Sequence, residues 1–333
     1  MKVAHLAAIT PHRAGLYETA RDLAAAERKF GIDARIVHPF QPAEDRGVPS
    51  GEDRFVDDAD ILVNHSGLGR YEKIDKPIVH VMHGRPRSSF LLEQAKQSPI
   101  YTMLRGMASD ERFRAFVTFW PRFAQYWQLV LPKDRILTVT APVDLNLWSP
   151  EGKSDHDFSG RISDVNVICV DPWRHDKDPF HMINAFWHFA AENPQAKLHL
   201  YGVTQSHGAL VVLLQSLHAV GCLGEVRPFV DGIDIVYRSA DLLITGHTVA
   251  TRTVRESLAC GCPVVAGSEE TGAMGFANEE NLKEYADTMA AVLRTDNRAW
   301  LRTHARAVAE EKFDSATTAR EMVDIFESIL GSG

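Results

Sequence analysis

The chain has 333 residues, of which 45% are hydrophobic, and this length allows two domains of ~150 residues with separate cores. A formal net charge of −8 argues against a protein that binds nucleic acid or anionic membranes broadly. No run approaches the ~18 apolar residues of a membrane span, and the first residues lack a signal-peptide pattern, so we expect a cytoplasmic protein.

The cysteines follow no zinc-ligand spacing and no disulfide framework. Cys169 lies in an apolar run, and Cys260 and Cys262 flank a predicted helix end. Cysteine in such surroundings behaves as a small hydrophobic residue. We therefore expect free, buried thiols at these three positions and at Cys222.

The first half of the chain alternates predicted strands and helices. An apolar run over 3–8 predicts the first strand, and a helix is expected from about 16 to 30. Further apolar runs predict strands at 34–37, 61–64, 78–82, 116–119 and 136–139, with an aromatic helix between the last two. Alternation of this kind predicts a parallel sheet with helices on both faces.

A polar segment at 149–164 interrupts this pattern and predicts a domain boundary. The alternation then restarts, with a helix expected just before Tyr237. The tail, 280–330, carries three helical patterns and no strand pattern. The other predicted elements are strands at 165–170 and 197–201, helices at 180–191 and 209–220, and an element around 226–230. We therefore predict two doubly wound α/β domains that face each other across a cleft and bind ligands at the carboxyl ends of their strands.

The most informative stretch runs from 239 to 267, SADLLITGHTVATRTVRESLACGCPVVAG. It predicts a short buried strand, a polar loop, a helix that ends at Gly261, and a second strand that opens at Pro263. The start of a helix favours a bound phosphate. Glu256, close behind that start, has acceptor oxygens that suit a vicinal diol such as a ribose.

This stretch resembles the donor-binding motif of retaining GT-B glycosyltransferases of family 4, the glycogen, sucrose and trehalose synthase type. That motif is a Glu, seven residues, a second Glu, and then Ala-x-x-x-Gly-x-Pro-Val-Val. Glu256 and the residues through Val265 match the second part, whereas Thr248 stands at the position of the first Glu. The resemblance implies that Glu256 holds the nucleotide ribose and that Thr248, Val249 and Arg252 contact the donor. The alternative for Glu256 is a helix ion pair with Arg252.

A second candidate site, DPWRHDKDP at 171–179, directly follows a predicted strand. Arg174 and Lys177 can neutralise a diphosphate, one through bidentate contacts and the other as a point charge. A leaving nucleoside diphosphate needs such compensation in the transition state. The segment resembles the family's Arg-x-x-x-x-Lys loop with a shortened spacing. The alternative is a solvated turn in which both cations pair with neighbouring aspartates.

His83 and Gly15 are the candidate residues of the N-terminal half. His83 ends an apolar strand and resembles the family's His-Gly or His-Asp element, whose His touches the donor sugar near the reacting centre. Imidazole can donate or accept a proton near neutral pH; the alternative is a hydrogen-bonded histidine at a strand end. For His80, inside the strand, a structural role is favoured. Gly15 resembles part of the family's Pro-x-x-Gly-Gly loop and would let backbone N–H groups approach a phosphate or sugar.

The resemblance covers nearly the whole chain and implies the GT-B fold. It implies an N-terminal acceptor domain at 1–150, a C-terminal nucleotide-sugar donor domain at 164–312, and a final helix at 313–333 that packs back on the first domain. It also implies a hexosyltransferase that moves a sugar, UDP-linked in the simplest case, to an acceptor hydroxyl. Retention of configuration is expected, without a metal or another cofactor. His83, Lys177 and Arg174 would be the catalytic residues.

The sequence leaves the acceptor open, since a small molecule, a glycan or a hydroxylated DNA base would all fit. Thr248 in place of the first Glu also leaves the stereochemical outcome open. Two alternative functions remain. One is a sugar-nucleotide epimerase on the same fold, and the other is a GT-B-like module that binds a sugar or nucleotide without catalysis.

Overall fold

The computed structural model of the protein describes residues 1–8, 15–41, 52–96, 99–158, 165–171, 179–203, 208–278, 280–294 and 298–331. The chain forms two compact units, Met1–Asp144 with Asp314–Gly333, and Leu145–Phe313. The segment that follows Asp144 thus belongs to the second unit, and the last helix belongs to the first.

The described strands pair in parallel within their sheets. In chain order they are β1 (Lys2–Leu6), β2 (Asp33–Val37), β3 (Ile61–Asn64), β4 (Ile78–Met82), β5 (Phe113–Thr118), β6 (Ile136–Thr138), β7 (Val165–Val170), β8 (Ala196–Tyr201), β9 (Leu223–Arg227), β10 (Leu242–Ile244), β11 (Val264–Ala266) and β12 (Gly275–Phe276). The helices are α1 (Gly15–Lys29), α2 (Glu52–Asp58), α3 (Pro86–Gln94), α4 (Ile100–Ser109), α5 (Pro121–Trp127), α6 (Phe180–Glu192), α7 (Gly208–Ala219), α8 (Ile233–Ser239), α9 (Arg252–Ala259), α10 (Leu282–Leu293), α11 (Arg298–Phe313) and α12 (Ser315–Gly331).

The sheet of the first unit has the order β2-β1-β3-β4-β5-β6 over the described residues. Strands β3 and β4 are buried along their whole length, as continuous apolar runs in a parallel sheet should be. Because β2 lies on one side of β1 and β3 on the other, the strand order reverses between β1 and β3. Ligands of open α/β sheets bind outside the carboxyl ends of the strands at such a switch point.

The last helix, α12, packs on α1 and on the segment after β6. The N–H of Thr140 donates to a carboxylate oxygen of Glu321 at 2.6 Å, and Oγ1 of Thr318 donates to the carbonyl oxygen of Thr140 at 3.0 Å. Val143 and Asp314 form an isolated parallel bridge. The chain therefore leaves the first unit after Asp144 and re-enters it at Asp314, and these two positions are neighbours within that unit.

The sheet of the second unit has the order β12-β11-β10-β7-β8-β9 over the described residues. Its apolar side chains pack against α6 and α10 in one core cluster. The strand order reverses between β7 and β10, which is the switch point of this unit. Arg306, on α11, donates to the carbonyl oxygens of Leu145, Trp148 and Ala259 at 2.8–3.2 Å and so joins the start of the unit to the end of α9.

Two parallel sheets with flanking helices confirm the predicted α/β class, and the predicted strands and helices are present with small shifts at their ends. Helices α2, α3 and α4 and the edge strand β12 were not predicted. Strand β12 has two residues, which is too short for a periodic signal. In the described ranges, no helix combines the length and the apolar character of a membrane span.

All four cysteines are free and buried, as predicted. Burial raises the pKa of Cys260 to about 12 and that of Cys262 to about 11. Both thiols are therefore protonated at neutral pH, and their contribution is to packing.

Candidate functional site

Two loops of the second unit leave the sheet at its switch point. Strands β7 and β10 are parallel neighbours, with Leu243 opposite Ile168, so the loops that follow them start at the same edge. The first loop begins at Asp171, and the second, 245–251, leads into α9. Because ligands of open α/β sheets bind at such edges, this is the first candidate site.

Asp171 holds these two loops together. One of its carboxylate oxygens lies 2.8 Å from Nε2 of His247, and the other accepts a hydrogen bond from Oγ1 of Thr245 at 3.2 Å. All three residues are buried. Buried polar groups are tolerated when they are hydrogen-bonded, so these contacts fix the loop after β10 relative to the end of β7. The sequence prediction missed this trio, although a polar residue directly after each of two buried strands was the available signal.

The loop 245–251 is also held from β11 and α10. The hydroxyl of Tyr285, on α10, accepts a hydrogen bond from the N–H of Thr245 at 3.1 Å. Gly267, just after β11, donates its N–H to the carbonyl oxygen of His247 at 2.9 Å. A Cβ at Gly267 would lie 2.9 Å from the carbonyl oxygen of Gly246, closer than real Cβ atoms approach. The close packing of this loop therefore requires glycine at 267.

The predicted donor residues Thr248 and Val249 lie in this loop. Thr248 is half-buried, whereas the side chain of Val249 is fully buried. Any contact of Val249 with a ligand would therefore come from its main chain. Thr251 occupies the N-cap position of α9, and its buried Oγ1 has no hydrogen-bond partner within the described part of the chain. The first backbone N–H groups of α9 have no intrahelical partner, so hydrogen-bond donors lie where the loop joins the helix.

Glu256 and Arg252 form an ion pair on α9, between Oε1 of the carboxylate and Nε of the guanidinium. Their side chains are only 9% and 14% exposed, respectively. The helix ion pair that the sequence offered as an alternative is thus present. Since a carboxylate offers about four lone-pair sites, this pair is compatible with hydrogen bonds from a diol. Burial, and after it the charge of Glu256, raises the pKa of Tyr237.

In the first unit, His83 follows β4 at the carboxyl edge of the sheet. Its Nε2 lies 2.8 Å from Nδ1 of His65, which follows β3, and its ring centroid lies 5.9 Å from that of Phe119. His80, inside β4, is buried beside aromatic rings, and burial lowers its pKa to about 4. His80 therefore packs in the core as a neutral ring.

Arg174 and Lys177 lie in 172–178, outside the described residues, so their roles stay predictions. Gly15 is the first residue of α1, and its carbonyl oxygen accepts a hydrogen bond from Oγ1 of Thr19 at 2.7 Å. The segment before Gly15, 9–14, is also outside the described residues.

Solved structures of glycosyltransferases resemble this chain over nearly its whole length. A sucrose-phosphate synthase from Thermosynechococcus elongatus has a TM-score of 0.75 at 14% identity, and the similarity covers 100% of both chains. A glycosyltransferase from Rickettsia africae has a TM-score of 0.72 at 14% identity, over 100% of this chain and 99% of that one. HepE from Anabaena, in complex with UDP-glucose, has a TM-score of 0.69 at 16% identity, over 98% of this chain and 100% of HepE.

The chain has the GT-B fold. No family model and no curated protein sequence matches it. At these identities the likeness establishes the GT-B fold alone, and function must be argued from the site. In this GT-B chain, the described residues that the sequence assigned to the donor lie on the loop 245–251 and on α9, apart from Gly15 in the first unit. The trio at Asp171 and the partner of His83 were added by the structure.

Proposed function

We propose that the protein is a glycosyltransferase that moves a hexose from a UDP-sugar to an acceptor hydroxyl. The observation that carries this proposal is the segment 245–256 at the switch point of the second sheet, with a buried carboxylate, Glu256, behind the start of α9. HepE, which shares the fold, was solved with UDP-glucose, and this makes UDP the first nucleotide to test.

The donor would be held by the loop 245–251 and by α9. Glu256 would accept hydrogen bonds from the ribose diol, and its ion pair with Arg252 would keep the carboxylate in place. A phosphate is favoured at the start of α9, where backbone N–H groups and the positive end of the helix dipole lie. Thr248 and the main chain of Val249 would contact the donor from the loop.

Catalysis would use residues from three loops. Lys177 and Arg174 would compensate the charge that develops on the leaving UDP, a role that this proposal gives to side chains rather than to a metal ion. His83 would position the sugar at its anomeric carbon, and Gly15 would admit a phosphate or sugar beside the start of α1.

We propose retention of configuration, in which the acceptor hydroxyl attacks from the face that the diphosphate leaves. Thr248 stands where the resembling family has a glutamate, so inversion is the competing outcome. NMR of the anomeric proton in the first product distinguishes the two stereochemistries.

The ribose contact is tested by calorimetric titration with UDP and with 2′-deoxy-UDP. A hydrogen bond to a charged group contributes about 1.5–3 kcal/mol, so the wild type should bind UDP about 10–100-fold more tightly than the deoxy compound. In Glu256→Gln this preference should largely disappear. An unchanged preference for UDP would contradict the assignment.

Glu310→Gln is the matched control for this experiment. Arg306 and Glu310 form an ion pair on α11 with the same spacing and orientation as Arg252 and Glu256, and with a 2.7 Å N–O distance. Glu310 is half-exposed and lies far in sequence from the loop 245–251. If Glu310→Gln lowered the preference for UDP as much as Glu256→Gln, loss of a helix ion pair would explain both results.

Turnover separates the transferase from the other functions. Release of UDP from UDP-glucose is measured with water and with a panel of acceptors, for the wild type and for Lys177→Ala. Lys177→Ala should lower turnover by about 10²-fold or more, and near-normal turnover would contradict its role. Tight binding of UDP without any release from UDP-glucose would indicate the binding module that Thr248 favours. An altered UDP-sugar formed without an acceptor would indicate an epimerase.

A further inference from the structure

A continuous line of hydrogen-bonded side chains in the first unit ends at His83. Oε2 of Glu27, on α1, lies 2.7 Å from Nε2 of His5, on β1. Nδ1 of His5 lies 3.0 Å from Nε2 of His65, and Nδ1 of His65 lies 2.8 Å from Nε2 of His83. We call Glu27, His5, His65 and His83 the histidine chain.

The histidine chain leads from the interior of the first unit to the carboxyl edge of its sheet. Strands β1, β3 and β4 are neighbours, which brings together the residues near their carboxyl ends. Glu27 and His5 have no exposed surface and His65 is 3% exposed, whereas His83 is partly exposed. Ring centroids lie 5.3 Å apart for His5 and His65, and 5.1 Å apart for His65 and His83.

The arrangement is a line and not a metal centre. Within the described ranges, no group of three or more histidine, cysteine or carboxylate side chains surrounds a common point. Within the histidine chain, His5 and His65 use both ring nitrogens on neighbouring members, and His83 contacts His65 through Nε2. Along such a line a proton can shift from ring to ring while each hydrogen bond reverses its direction.

Glu27 decides the direction of every hydrogen bond in the histidine chain. A neutral imidazole has one N–H and one acceptor nitrogen, and an ionised carboxylate can only accept. With Glu27 ionised, His5, His65 and His83 all donate from Nε2 toward it, and Nδ1 of His83 is an acceptor. With Glu27 protonated, every hydrogen bond reverses, and Nδ1 of His83 carries the proton.

Both patterns contain only neutral rings. Burial, followed by the charges of His83 and His5, holds the pKa of His65 well below its usual range. A cation that stayed on His65 would therefore be costly. If Glu27 at the other end takes up a proton when His83 does, every ring stays neutral and no cation forms on His65.

We propose that Glu27, His5 and His65 are positioning residues that set the tautomer of His83 and couple proton uptake at its Nδ1 to protonation of Glu27. This inference rests on the proposed function and adds to it that the acceptor hydroxyl contacts Nδ1 of His83. The O–H bond of that hydroxyl breaks as the Nδ1–H bond forms, while its oxygen bonds to the anomeric carbon and the bond from that carbon to the diphosphate breaks. The Nε2 protons of His83, His65 and His5 each move one place, and the last reaches Oε2 of Glu27. The reverse shift returns the proton to the departing diphosphate or to water.

The tautomers are tested without any substrate. In protein labelled with ¹⁵N-histidine, long-range ¹H–¹⁵N spectra distinguish the Nε2–H tautomer, the Nδ1–H tautomer and the cation. At about pH 8 we expect His5, His65 and His83 as Nε2–H tautomers in the wild type. His83 with its proton on Nδ1, or an average of both tautomers, would overturn the proposal. Since no sugar or nucleotide is present, this outcome is independent of the proposed function.

Two variants test the coupling. His65→Phe keeps a ring between the strands but removes the hydrogen bond to Nε2 of His83, so the tie to Glu27 is cut and the share of the Nε2–H tautomer at His83 should fall; an unchanged share would contradict the proposal. Glu27→Gln keeps the shape and the hydrogen bond but cannot take up a proton. With UDP-glucose as donor, its kcat should fall about 10²-fold, the lower end of an acid–base contribution, while the Kd of UDP is unchanged. A wild-type kcat in Glu27→Gln would overturn the coupling.

His80→Gln is the matched control. His80 is a buried histidine on the strand that leads to His83, and its Nδ1 has no hydrogen-bond partner among the described residues. The variant removes a buried imidazole and leaves the histidine chain intact, so kcat and the tautomer of His83 should stay as in the wild type. Equal losses of kcat and of melting temperature in His80→Gln and Glu27→Gln would show a merely structural role and overturn the proposal.

Discussion

Replacing Gly267 by alanine should displace the loop that carries the proposed donor residues, because this glycine packs directly against the loop. The added Cβ would lie 2.9 Å from the carbonyl oxygen of Gly246 and 3.2 Å from that of His247. Ordinary van der Waals contacts of a Cβ begin at 3.4 Å. Both neighbours are backbone atoms that cannot rotate away, so the loop must move by about 0.5 Å, the difference between 3.4 and 2.9 Å.

The expected loss of stability follows from this overlap. Overpacking of a well-packed site costs about 1–3 kcal/mol. Each kcal/mol shifts the Tm of a domain of 150–250 residues by about 2–4 °C, so the Tm of Gly267→Ala should fall by about 2–12 °C. Because the displaced loop carries His247, its 2.8 Å contact with Asp171 should also be disturbed, which would weaken the hydrogen bond. The affinity for UDP should therefore fall together with the Tm.

Gly106→Ala is the matched control for this prediction. Gly106 lies inside α4, and a Cβ there meets no described atom within 4 Å. Alanine in place of an unstrained glycine stabilises by about 0.4–1 kcal/mol, so this variant should melt at a higher temperature and bind UDP normally. Scanning calorimetry gives the two Tm values, and titration calorimetry gives the affinity. A Gly267→Ala protein with the Tm and UDP affinity of the wild type would refute the reasoning.

Three further outcomes are expected. Arg306→Leu should lower the free energy of unfolding by about 1–3 kcal/mol in urea titrations, because three backbone carbonyl oxygens lose their donor; an unchanged urea midpoint would contradict this. Cys260 and Cys262 should resist iodoacetamide at about pH 8 in the native protein and react in guanidinium, since burial raises both thiol pKa values and the thiolate is the nucleophile; mass spectrometry counts the modified residues. Burial lowers the pKa of His80 and of His199 to about 4, so the unfolded chain binds more protons below about pH 6.5. Stability should therefore fall as the pH drops from about 6.5 to 4, by roughly 3 kcal/mol for each histidine, and His80→Gln should flatten the fall in urea midpoints.

The strands were predictable because each central strand of a parallel sheet is a short, continuous apolar run. The runs predicted at 61–64 and 78–82 coincide with β3 and β4, both of which are fully buried. Helices α2, α3 and α4 gave no such signal. In α3, for example, Phe90 and Leu91 are about half-exposed, so the apolar residues do not mark a single buried face.

Sequence can point to residues of the candidate site only where they are contiguous, and their roles stay predictions. Glu256 stands out because its motif continues without a gap through the following strand. The contacts of Asp171 with His247, and of His5 with Glu27 and His65, join distant parts of the chain, and their proximity depends on strand order. Sequence periodicity predicts strands but not their order, so these groups appeared only in the structure. The local signs were a polar residue directly after each of two buried strands, for the trio at Asp171, and a histidine among the apolar residues of β1, for His5.

Helix α12 belongs to the first unit, so that unit is made from both ends of the chain, with the second unit inserted between them. A ribosome therefore makes the sheet of the first unit before the second unit, and the helix that packs on α1 after it. The second unit can finish its core while the first still lacks this helix. During that interval the face of α1 that α12 will cover is open to water and to chaperones, and a nascent chain that stops before 314 never closes it.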